Sequence, residues 1–247
     1  MSASPREQSA IHLSPTRRTP LSVVVSQQLR DAILTGQVSS GTELPSEHEL
    51  AVQFAVGRST VREAVRILQA QGLLSGGDTV TTRRPRVAAE DGLSAAAAMA
   101  MENAVRLGQI PLKDLVALRL LLEGATVEAA ASAPPGALAE AHAALQDMVL
   151  ADGEPERFLA ADLRFHHGLA LASGNAALPL VMSVLRNAIA GHLGAALHQQ
   201  PDLSATTAQL TDEHAAIYLA VAEGRAGDAR QLVTTHIQDF YASWPRP

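Results

Sequence analysis

Four residues in the C-terminal half of the chain have the chemistry of a metal site. Asp162 and His166 stand four apart in EPERFLAADLRFHHGLALAS, so on a helix they share one face. His214 lies in TTAQLTDEHAAIYLAVAEG and His236 in DARQLVTTHIQDFY, each in a later helical pattern. Imidazole nitrogens with one carboxylate oxygen suit zinc, nickel or another first-row divalent ion, and three helices of a bundle are able to converge them. Three imidazoles lean towards zinc or nickel. Spacing alone also fits a local Asp162–His166 hydrogen bond, with His214 and His236 as ordinary surface or core histidines. His192, on an apolar helix, is a reserve ligand.

Arg119 and Glu123 are also four apart, among leucines in LVALRLLLEGATVEAAA. A buried charge needs a partner. Either the two form an internal ion pair, or Arg119 projects into a pocket and takes a carboxylate in bidentate fashion. The second alternative points to an anionic ligand.

These side chains must be positioned by helices. Apolar periodicity predicts helices over 111–133, 137–150, 155–173, 176–199, 206–223 and 226–243, broken at Pro134-Pro135-Gly136, Asp152-Gly153, Gly174-Asn175, Pro201 and Gly224–Gly227. Short connections between five or more helices make an antiparallel bundle. Residues 91–110 read as a linker and first bundle segment, and 111–243 as an all-helical ligand-binding and dimerisation domain.

The N-terminal third has a different character. Residues 1–19 are polar, rich in Pro and Ser, and predicted to be a disordered arm. Residues 20–90 are predicted to be a winged helix-turn-helix. LSVVVSQQLRDAILTG is a helix stopped by Gly36, and Ser46 with Glu49 forms a capping box that opens a second, short helix. After a turn at Val56-Gly57 a third helix begins near Ser59, with Val61, Ala64, Val65 and Leu68 on its buried face. Thr79–Thr82 favours strand, and Arg83, Arg84 and Arg86 follow in a hairpin. An arginine-bearing helix alone is usually a solvated surface. With a short helix before it and a basic hairpin after it, it reads as a recognition helix whose Arg58, Thr60 and Arg62 reach a major groove.

Composition agrees with this division. The chain has 247 residues and a formal net charge of -6. Residues 1–90 hold 10 Arg against 8 Asp and Glu, whereas the remainder holds 9 Lys and Arg against 17 acidic residues. A locally basic head on an acidic body is compatible with DNA binding. There are no cysteines, which excludes disulfides, thiol nucleophiles and cysteine-ligated metals. The start carries no apolar run of signal-peptide type and no membrane span is expected, so the chain reads as soluble and cytoplasmic.

Both halves together resemble the GntR family of bacterial transcription regulators, in its FadR-like subfamily with an FCD ligand-binding domain. The head carries the resemblance through AILTGQVSSGTELPSEHELAVQFAVGRSTVREAVRILQAQGLL, and the body through Arg119 and Glu123, DLRFHHGLALASGN, EHAAIYLAVAEGRAGDA and His236. The resemblance implies a homodimer that binds a palindromic operator and represses nearby genes, with DNA affinity controlled by a small organic acid or related metabolite. It implies DNA contacts at His48, Gly57, Arg58, Thr60 and Arg62, with Arg83 and Arg84 of the hairpin added here. It implies metal ligation by Asp162, His166, His214 and His236; Arg119 and Asn175 are the candidate ligand contacts. The chain departs from the family pattern at Gly57, where a Ser or Thr is usual, and at His48, often Arg. A metal-dependent enzyme and a metal-free interaction module are the competing functions; neither explains the basic head.

Overall fold

A computed structural model describes residues 19–76, 84–88, 90–151 and 154–242. They divide into two compact units, one ending at Val87 and the other beginning at Ala88.

The first unit is a helix-turn-helix with a two-stranded sheet. Helix α1 spans Leu21–Leu34, α2 Glu47–Gln53 and α3 Arg58–Ala70. Strands β1 (Leu74–Ser75) and β2 (Arg86–Val87) pair antiparallel, with Leu74 opposite Val87. The capping box at α2 forms as the sequence predicts. The Ser46 hydroxyl accepts from the Glu49 amide at 3.2 Å, and the Glu49 carboxylate accepts from the Ser46 amide at 2.7 Å. Such a cap stabilises a helix by about 1 kcal/mol, which matters for one of seven residues that cannot nucleate alone. Val61, Ala64, Val65 and Leu68 are the buried residues of α3, and they pack on Val25, Leu29, Leu44 and Leu50. The turn before α3 holds Ala55 at φ 51°, in the left-handed region. Gly57 then caps α3 with no side-chain hydrogen bond. The strand expected at Thr79–Thr82, and Arg83 with it, lie outside the described residues.

The second unit is helical throughout its described residues. It contains α4 (Glu90–Arg106), α5 (Leu112–Ala130), α6 (Ala139–Val149), α7 (Pro155–Ala172), α8 (Ala177–His198), α9 (Leu203–Ala222) and α10 (Ala226–Ala242). The stretch 91–110 thus contributes most of a full helix, packed against α8. Helix α7 lies at the centre, touching α5, α6, α8 and α9. Its Phe158, Phe165 and Leu169 are buried with Val127, Ile217, Val233 and Ile237 of α5, α9 and α10. Gly168 brings α7 against α6. A Cβ there would stand 2.6 Å from the Ala141 nitrogen, so only glycine permits this approach. Helix α8, 22 residues long, is long and apolar enough to cross a membrane. Here it is a core helix: Met182, Leu185, Ile189 and Leu197 are buried, and so is Arg186.

Candidate metal centre and nucleic-acid interface

Helix α7 carries Asp162 and His166 one turn apart, α9 carries His214 and α10 carries His236. The four offer ligand atoms that all lie within 4.8 Å of one another, and all four residues are buried. His166 Nε2 is 3.2 Å from His214 Nε2. Asp162 Oδ1 is 3.0 Å from His214 Nε2 and 3.6 Å from His166 Nε2.

Each imidazole is held from behind by an oxygen at Nδ1. His214 Nδ1 lies 2.6 Å from the Leu210 carbonyl, His236 Nδ1 lies 2.6 Å from Glu213 Oε2, and His166 Nδ1 lies 2.5 Å from Glu123 Oε2. A carbonyl or carboxylate oxygen only accepts, so a proton on each Nδ1 satisfies these contacts and turns the Nε2 atoms towards the centre of the cluster; the 3.0 Å contact of His214 Nε2 with Asp162 Oδ1 needs a proton or a cation between the two atoms. Burial, joined by the Arg186 guanidinium, lowers the pKa of His166. Burial and the neighbouring His214 push that of His236 down to about 4, against the pull of Glu213. Three imidazoles, two of them (His166 and His236) held towards the neutral form by burial, therefore face one another and a carboxylate oxygen. That donor set is complementary to a divalent cation, and oxygen partners behind ligand histidines are how metal sites are oriented.

A second layer of charge sits behind the first. Arg186 Nη1 donates to Glu123 Oε1 at 2.7 Å, Arg186 Nη2 donates to Asp162 Oδ2, and Arg119 Nε donates to Glu123 Oε1 at 2.6 Å. Burial alone would raise the carboxyl pKa values, but it is outweighed. Arg119, His166 and Arg186 hold Glu123 well below the carboxylate range, and Arg186 with the two histidines does the same to Asp162. Asp162 thus has one oxygen fixed by arginine and the other facing the imidazoles. Beside the cluster, Arg119, Asp162, His214 and His236 line a small cleft with Phe158 and Phe240, with room for about one water molecule.

Arg119 pairs with Glu123 through Nε, the first of its two readings, and its side chain also lines the cavity. Asn175 is placed differently from expectation. It is exposed in the turn after α7, and its Oδ1 accepts from the Ala177 amide at 3.0 Å, so it opens α8 and does not line the cavity. His192 is on α8, outside the four-residue cluster. Arg186 and Glu213 went unnoticed in the sequence. A single arginine following the uncharged run 168–185 was the available signal for the first; Glu213 had none beyond standing next to His214.

In the head, His48, Gly57, Arg58 and Arg62 are exposed and Thr60 is half-buried, all on α2 or the start of α3. Arg62 is engaged by Glu47. Arg84 is exposed, 4.0 Å from Glu49. The exposed arginines of α3 (Arg58, Arg62 and Arg66) alternate with its buried face, as a groove-reading helix requires.

A winged helix-turn-helix unit together with a helical unit that has a buried polar centre is the make-up of a DNA-binding regulator. Comparison with known proteins makes this specific. Residues 21–82 match the model of the bacterial regulatory proteins of the gntR family, and 114–239 match the FCD domain. The chain belongs to the GntR family, in its FCD-containing branch. It is 30% identical over 240 residues to the HTH-type transcriptional repressor NanR of Cronobacter sakazakii, covering 93% of this chain and 87% of that one. The protein of the same name from Klebsiella aerogenes is 29% identical over 239 residues, with the same coverage. A solved structure of a Streptococcus agalactiae GntR protein matches with TM-score 0.63 at 27% identity, over 90% of this chain and all of the other.

Proposed function

We propose that this regulator is a cytoplasmic homodimeric repressor whose operator affinity is set by a small anionic metabolite bound beside a divalent metal. The observation that carries the reading is the convergence of Asp162 Oδ1 and three Nε2 atoms next to a cavity lined by Arg119. Asp162, His166, His214 and His236 would hold the ion, zinc or nickel by their donor set. Its chemistry there is that of a Lewis acid that attracts an anionic ligand. Arg119, with Nε committed to Glu123, directs the rest of its guanidinium at a ligand carboxylate. Repression is supported by relatives named as repressors, which also favour a regulator over a metal-dependent enzyme or an inert interaction module. His48, Gly57, Arg58, Thr60, Arg62, Arg83 and Arg84 are the proposed DNA contacts.

Ligand control requires that the ligand bind DNA-compatible and DNA-incompatible arrangements with different affinity. The test is fluorescence anisotropy of the purified protein on its own upstream intergenic DNA and on a scrambled duplex, at physiological salt, with and without metal. Sequence-dependent binding that weakens in Arg58→Ala and Arg62→Ala supports the head assignment; unchanged binding by both variants overturns it. Calorimetric titration with zinc and nickel should show one ion per chain, lost in the His214→Ala, His236→Ala double variant. Undiminished uptake by that variant overturns the metal centre.

A further inference from the structure

Two helices of the head are joined by an ion pair that packing does not require. Glu47 is the first residue of α2, and Arg62 lies in the second turn of α3. Arg62 Nε donates to Glu47 Oε1 at 3.0 Å and Arg62 Nη2 donates to Glu47 Oε2 at 2.7 Å, a two-bond fork using both carboxylate oxygens. The side chains are 54% and 38% exposed, so the pair adds little to stability. It does fix the plane of the guanidinium.

The fork leaves one edge of Arg62 unoccupied. Of five N–H groups, those on Nε and one on Nη2 face Glu47; the second on Nη2 and both on Nη1 face away. That free edge presents two parallel donors, the pattern that matches N7 and O6 of guanine in the major groove. Its neighbours on α3 are held differently. Arg66 makes a single 3.9 Å approach to Glu63 within the helix, and Glu47 feels the charges of Arg58 and Arg66 without the fork it makes with Arg62. Arg58 and Arg66 are thus less constrained in direction, while Arg62 is aimed by its partner. A carboxylate beside the DNA face also repels phosphates, which discourages Arg62 from drifting to the backbone.

We propose that Glu47 is a specificity-determining residue of the DNA interface. It holds Arg62 so that the free guanidinium edge reads a guanine, and it lowers affinity for DNA lacking that guanine. This rests on the DNA-binding reading above, and Glu47 itself need touch no base. Replacement by Gln puts an amide donor against one Arg62 N–H and breaks the fork; the Ser46–Glu49 cap, which keeps α2 folded, is untouched.

The test is selection of the full chain on a randomised duplex pool, using wild type, Glu47→Gln, Glu47→Asp and Arg62→Ala, followed by anisotropy on the selected site, point-substituted sites and a scrambled duplex. Wild type should enrich a site with a guanine in each half. Arg62→Ala and Glu47→Gln should lose discrimination at that same base pair, by about tenfold or more for a bidentate contact. Glu47→Gln, unlike Arg62→Ala, should bind the scrambled duplex more tightly, its log-log salt slope steeper by about one for each subunit whose Arg62 takes a phosphate. Glu47→Asp, which keeps the charge but not the reach, should lose the discrimination without that gain. If Glu47→Gln keeps the wild-type preference at every position, the inference is overturned while the DNA-binding reading stands. If wild type enriches no sequence, the DNA-binding reading fails and the inference with it.

Discussion

Replacing Arg186 with Met should unfold the metal-free body far more than the metal-loaded one. Arg186 is 2% exposed and bridges two carboxylates, Glu123 and Asp162. With Arg119 it balances them, two buried cations against two buried anions. Methionine fills a similar volume but leaves one negative charge unmatched. Removing one partner of a buried pair destabilises by about 3–5 kcal/mol. For a unit the size of the helical body, that is a fall of roughly 6–20 °C in the unfolding temperature. A divalent ion among Asp162 and the three histidines would supply the missing positive charge from the other side of Asp162. Less than half the loss should then persist in the metal-loaded protein. Linkage requires the converse: the variant should bind metal more tightly, about tenfold for every 1.4 kcal/mol recovered. The assay is scanning calorimetry of wild type and Arg186→Met, each in chelator and in saturating zinc. The Arg186→Met, Glu123→Gln double variant restores neutrality and should regain most of the chelator-state loss, a coupling between neighbours that a cycle measures directly. Equal losses with and without metal, or no loss in chelator, would refute the charge-balance reasoning.

The metal-free protein should also lose stability on mild acidification. His236 titrates near 4 in the folded chain and near 6.5 unfolded, so between these values the unfolded state binds more protons. Stability is full above about pH 6.5 and falls as pH drops towards 4, by up to about 3 kcal/mol from this group. Glu123 and Asp162, held below their ordinary range, add to the loss at lower pH still. Urea unfolding at several pH values should show this slope, and His236→Gln should flatten it; equal slopes in the two proteins would count against the burial argument. Glu213→Ala should weaken zinc binding about 10–100-fold by releasing His236 Nδ1, as loss of outer-layer partners of ligand histidines does, measured by competition with a chromogenic chelator. Gly168→Ala should destabilise the body by about 1–3 kcal/mol, because its Cβ meets backbone atoms of Ala141 that have nowhere to move; an unchanged melting temperature would refute that contact. Ala55→Gly should stabilise the head by about 0.5–1 kcal/mol, since relief of the left-handed strain at φ 51° exceeds the entropy glycine loses.

What the sequence made legible and what it hid follow from the range of the interactions concerned. The cap at Ser46 and Glu49 and the buried face of α3 were readable because they depend on residues three and four apart. Asp162 and His166 were readable as a pair for the same reason. His214 and His236 were readable only as candidates: bringing them to Asp162 depends on the packing of α7, α9 and α10, so residue chemistry could group the four but not place them, and the family resemblance strengthened the grouping. Arg186 marks the boundary most sharply. A lone arginine in an apolar helix announces that it must find a carboxylate, but its partners lie 63 and 24 residues away. No local rule selects Glu123 and Asp162 from the other acidic residues. Asn175 shows the opposite case. A polar residue in a conspicuous motif invited a ligand role, and its position after Gly174 places it in a turn where its amide oxygen accepts from the Ala177 amide. Arg119 explains why two readings of one residue need not compete. A guanidinium has separate edges, and the edge that satisfies Glu123 leaves another for the cavity. Arg62 in the head repeats the arrangement with Glu47. In both units an arginine is held along one edge by a carboxylate, so the question a sequence leaves open is which way the other edge faces.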